Sequence, residues 1–134
     1  MKPGAPPVVQ QAMKLLWVST LIGFVGELLD IPQMLAVLPE GTPSLILYLV
    51  AGVGLLFGVS FLLAVQAGKN WARLFFFAGI IFSLFGTPDL FHELVTQPKF
   101  STVLSVIARL MHFYVTYLFL QPSAVAWFKS GKTI

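Results

Sequence analysis

Cysteine is absent from this 134-residue sequence. Disulfides, thiolate metal sites and thiol nucleophiles are therefore excluded. Charge is scarce too: 10% of residues are charged, against about 25% in ordinary soluble domains. Acids are the scarcest, five in all. A small soluble fold leaves much of its surface wet, so it could not hide a chain that is 57% hydrophobic. The natural solvent is a bilayer. Alternation of apolar and polar residues with period two is also missing, which argues against a β-barrel. No Ser-His-Asp arrangement is expected, because Ser19, Ser60 and Ser83 sit in apolar runs with no histidine at matching depth. The basic residues are thinly spread, so nucleic acid is not an expected partner.

What is present is a set of long apolar runs. A helix needs about 20 mostly apolar residues to cross the hydrocarbon core, and four such spans can be drawn, at about 13–32, 43–67, 72–94 and 102–121. The segments "LPEGTP", "AGKN" and "TQPKF" connect them. Connections this short make sequential spans antiparallel neighbours, so the expected fold is all-α: an integral membrane four-helix bundle running up-down-up-down. Residues 1–12 read as a retained Pro-rich tail, 13–128 as a single transmembrane domain and 129–134 as a second tail. Lys2, Lys14, Lys69, Arg73, Lys129 and Lys132 fall on one side, which places both termini in the cytoplasm by the positive-inside rule. Trp17, Trp71 and Trp127 lie near the same interface and, with Arg73, are expected anchors there. The two hairpins share a basic start, an acid-and-proline end and a closing Gln and Trp. That pattern suggests a parallel two-hairpin pseudo-repeat.

The few polar residues inside the runs gather toward the other side. At about 1.5 Å per residue, Glu27 lies about 20 Å and Asp30 about 24 Å above Lys14. Asp89 lies about 24 Å above Arg73, with His92 and Glu93 near 30 Å. Arg109 falls at the depth of Glu27, and His112 near the midplane. Spacings of three and four put each set on one helix face. Such faces should point into the bundle, since a charge facing lipid is costly. Glu27, Asp30, Asp89, His92, Glu93, Arg109 and His112 form the candidate ligand- or ion-binding cluster, with Glu27 and Arg109 as a candidate structural ion pair. Carboxylates with imidazoles make a divalent metal the one cofactor worth weighing. Gly54 and Gly58 carry a G-x-x-x-G spacing suited to close helix packing.

The loop "GKNWAR" and the ending "PSAVAWFK" resemble a set of small bacterial four-span membrane proteins of unknown function. Those carry Gly-Arg/Lys-Asn-Trp-Ala-Arg between spans two and three and close on Trp, Phe and a basic residue. The resemblance implies a bacterial inner-membrane protein and brings no activity with it. Three function classes follow. Foremost is a non-enzymatic, partner-binding component acting through its helices, as a homo-oligomer or in a larger complex. Second is a small transporter or ligand- or ion-binding bundle that uses the polar cluster. Third is an intramembrane metal enzyme.

Overall fold

The structure is a computed structural model that describes residues 1–130; Lys132 lies outside them. Among the described residues there are six helices and no strand: α1 (Pro7–Val37), α2 (Ser44–Gln66), α3 (Asn70–Leu84), α4 (Thr87–Thr96), α5 (Phe100–Leu120) and α6 (Pro122–Ser130). Three of them, α1, α2 and α5, are long and apolar enough to cross a membrane. A fourth span exists if α3 and α4 count as one, bent by 51° at the break between them. The all-helical class and the apolar segments are as expected; four simple spans are not what the chain adopts.

Each departure traces to a proline or glycine. Pro7 opens α1 at a position where its missing N–H is harmless, so the helix begins well before residue 13. Pro32 does not close α1, which runs on to Val37. One lost backbone bond is tolerable in an apolar helix whose neighbours hold it, and the adjoining Ile31 is buried. The expected third span breaks at Phe85 and Gly86. Pro88 cannot donate to Leu84, and glycine is a poor helix former beside it. Pro122 forces Gln121 into an extended conformation and restarts the chain as α6. The two halves therefore differ at their prolines, α1 passing through one and the third run breaking before the other.

α1 pairs most extensively with α5 and also packs on α2; α3 packs on α2 and α5, and α4 on α5. Among the described residues the Cα atoms of α1 and α3 stay more than 8 Å apart, as do those of α2 and α5, so these pairs meet only through side chains. Small residues make the α1–α5 seam close. A Cβ on buried Gly26 would stand 3.8 Å from the Leu104 Cβ and from the Ser101 carbonyl oxygen. Ala12, Ser19, Ser101 and Ala108 are buried as well. Such residues let apolar helices approach where no hydrophobic force drives them together.

The densest core lies at one end. The start of α1 (Val9, Met13, Leu16), the end of α2 (Leu62, Val65), the start of α3 (Ala72, Phe76) and the end of α5 (Val115, Phe119) meet there, under Trp127 and Phe128 of α6. The tail joins them: the Lys2 N–H donates to the Gln66 carbonyl over 3.0 Å, and the Lys2 ammonium stands 5.5 Å over the Trp127 ring. The far end is looser, and α4 has no buried residue. Phe82 and Phe85 are each 80% exposed.

Candidate functional site

The helix break creates a polar requirement at depth. Without a Thr87 N–H in helical register, the Ser83 carbonyl loses its usual donor. Two side chains replace it: the Thr87 hydroxyl donates to it over 2.9 Å, and Arg109 Nη1 reaches it from α5. The same Nη1 is 3.4 Å from the Thr87 hydroxyl. A charge-assisted bond to an orphan carbonyl is among the stronger hydrogen bonds. Arg109 thus ties α5 to the break.

One turn further along α5 is His112. Its Nε2 lies 3.0 Å from the Ser19 hydroxyl of α1. Ser19 has one proton and gives it to the Leu16 carbonyl, 3.0 Å away. Nε2–H is then the donor to Ser19, which sets the tautomer. Phe76 of α3 holds the imidazole edge-on, with ring centroids 6.0 Å apart.

Between these groups is a partly open cavity of about 380 Å³. It occupies the space left where α1 and α3 stand apart. Its polar lining is Ser83, Ser105, Arg109 and His112. Its apolar wall is Phe61, Phe75, Phe76 and Ile80. Gly23, Gly79 and Ala108 leave room in it. None of the five carboxylates of the chain lines it. Aromatic walls with a few convergent polar groups are the usual composition of a small-molecule site.

The expected cluster is divided. Arg109 and His112 line the cavity. Glu27 is exposed and makes no ion pair with Arg109 among the described residues. The reason is rotational: Gly26 is the α1 residue that faces α5, and Glu27 is turned from it by about 100°. Asp30 is half-buried on α1, and α1 does not touch α4. On α4, Asp89 and His92 are exposed and Glu93 is half-buried. Glu93 accepts from the Thr102 hydroxyl over 3.1 Å and pairs with Lys99 at 3.5 Å; Lys99 also donates to Gln33 of α1 over 2.7 Å. This strap is exposed, and such pairs add little stability. Among the described residues no three of His, Asp and Glu stand together as a metal would need.

Other expectations change as well. Gly54 has open space around it and packs nothing; Gly58 approaches Thr20 of α1, a Cβ there lying 3.9 Å from the Thr20 methyl. Trp71 is exposed and Trp17 half-buried, but Trp127 and Arg73 are core residues. α6 folds back over the dense end and covers them. Arg73 is 6% exposed and stacks on Phe77 and Phe128 at 5.8 and 5.4 Å, with its Nε and Nη1 unpaired. The Ser19–His112 contact contradicts the expected mismatch of depth, because α1 begins before residue 13. Ser83, Thr87 and Ser105 carried no sequence signal beyond lying in apolar runs; the proline downstream marks the Leu84 carbonyl, not that of Ser83, as the one without a donor.

No family model matches the chain, and neither does any curated protein or solved structure.

Proposed function

We propose that this chain is a small ligand-binding membrane bundle and that the cavity against Arg109 and His112 is its site. One observation carries the reading: two polar side chains on α5 converge on an aromatic-walled space inside an otherwise apolar helix set. In membrane proteins a broken helix beside an intramembrane ionisable group commonly marks a ligand site. The reading takes the bent α3–α4 pair as one of four spans. It takes both ends as cytoplasmic, supported by the gathering of Lys2, Lys14, Lys69 and Lys129 at the end capped by α6. A bacterial inner membrane is the location that the resemblance implies.

Gly79→Phe tests it. A Cβ on Gly79 meets nothing within 4 Å, so a ring can enter the cavity without moving the helices. Protein purified gently and then denatured should release a small molecule, identified by mass spectrometry, that Gly79→Phe protein lacks. The same molecules in equal amount from both would remove the cavity from the argument.

A second reading, the complex-forming component, is favoured by Glu27. It is exposed on α1, about 20 Å beyond Lys14, and a carboxylate facing hydrocarbon is costly. A neighbouring protein would remove that cost. Because the chain has no cysteine, Glu27→Cys and Gly54→Cys are clean reporters. Docking through either face should give a discrete crosslinked band in membranes under oxidation, from that position and not the other. No band from either sinks the reading.

A further inference from the structure

We infer that the cavity takes an anion: a molecule with one carboxylate or phosphate head and a compact, preferably aromatic, apolar body. This rests on the cavity-binding reading above and adds the sign and shape of the ligand.

Arg109 carries a charge that no carboxylate answers among the described residues. Arg109 is half-buried in a segment apolar enough to span a bilayer. Intramembrane charges ordinarily pair with one another or with backbone carbonyls; Arg109 has a carbonyl, but no carboxylate lines the cavity and none pairs with Arg109 among the described residues. Among the described residues its acceptors are two neutral groups, the Ser83 carbonyl and the Thr87 hydroxyl, and both are served by Nη1. Nε and Nη2 keep their donors without a protein acceptor among the described residues. A guanidinium offers those donors as a fork that matches a carboxylate or phosphate. The Ser105 hydroxyl adds a second donor, whereas His112 has its N–H committed to Ser19 and shapes the space without binding the head. No group of negative charge opposes an anion in this space, and a cation would meet Arg109 at close range in a poorly screened medium.

Size and shape follow from the walls. At about 30 Å³ for a water-sized unit, 380 Å³ holds roughly a dozen non-hydrogen atoms. Phe61, Phe75 and Phe76 present ring surface to the body of such a molecule. Two sources fit this chemistry: a free aromatic or short-chain acid, or an anionic lipid that inserts its head from the open side.

Isothermal titration of the purified full chain in a neutral maltoside detergent decides it. The probes are 3-phenylpropionate, neutral 3-phenylpropanol and cationic 3-phenylpropylamine, with phosphatidylglycerol as the lipid arm. The expected result is binding of phenylpropionate tighter than phenylpropanol by about tenfold or more, as a charge-assisted bond provides, with the amine weakest. Arg109→Gln should erase that preference, and Gly79→Phe should abolish binding while leaving Arg109 in place. If phosphatidylglycerol alone binds, and Arg109→Gln abolishes it, the anionic head stands and the source is lipid. If the three phenyl probes bind alike and Gly79→Phe blocks them all, the anion inference is overturned while the cavity remains a binding site. If no probe binds, or Gly79→Phe changes nothing, the cavity reading falls and this inference with it.

Discussion

Phe119→Ala is expected to cost about 3–5 kcal/mol of stability, the usual range for emptying a fully buried phenylalanine site. Phe119 is 0% exposed and sits at the centre of the dense end. Its ring stands edge-on to Phe76 at 5.7 Å and to Phe128 at 5.3 Å, so α3, α5 and α6 all lose a contact at once. The neighbours are locked by one another, which leaves the space little room to collapse. Phe82→Ala removes the same atoms from a residue that is 80% exposed. Lipid or detergent fills that gap, and the expected change is close to zero. Thermal unfolding of both variants in the same detergent checks the contrast. Equal losses would mean that the packing is not concentrated at one end.

Gly68→Ala is the second large effect, at about 2–4 kcal/mol. Gly68 ends α2 at φ +73. An L-residue in the left-handed region costs roughly 1–2 kcal/mol. The added methyl also lacks space. Its Cβ would lie 2.9 Å from the Lys2 Cδ and 3.2 Å from the Trp127 ring. Lys2 can swing away, but Trp127 is buried against Phe128, with ring centroids 4.8 Å apart. Forcing such a ring aside costs about 1–3 kcal/mol. Displacing Lys2 should also free the tail from the Gln66 carbonyl, so proteolysis near the N-terminus is a second readout alongside the melting temperature. Gly79→Ala is the control: it is helical, has open space around its Cβ and should be neutral or slightly stabilising. A Gly68→Ala protein as stable as the Gly79→Ala protein would contradict the close packing of tail, α2 and α6.

Both effects sit at the end farther from the helix break, and that division of labour suits the proposed function. The end capped by α6 supplies rigidity. The break at Gly86, latched by Arg109, lies where helices diverge and space remains. A site built beside the loosely packed half can open without unfolding the bundle.

The sequence by itself determined the helical class, the apolar runs long enough to cross a membrane and most of the places where helices stop. These depend on sums and local rules: the length of an apolar run, the missing proline N–H, the freedom of glycine. It misjudged Pro32 because the cost of one missing bond is decided by what packs around it. It fixed where each polar residue falls along its helix, since that follows from counting residues, but the cluster expected from those positions is divided in the structure. Tertiary structure alone decided which of them meet. Spacings of three and four say that Arg109 and His112 share a face, not which helix that face meets or how the opposite helix is rotated. Gly26 faces α5, so Glu27 cannot, and Arg109 serves a carbonyl at the break instead. The cavity was equally illegible, because it exists where α1 and α3 stand apart, a property of the arrangement of all the helices rather than of any one segment.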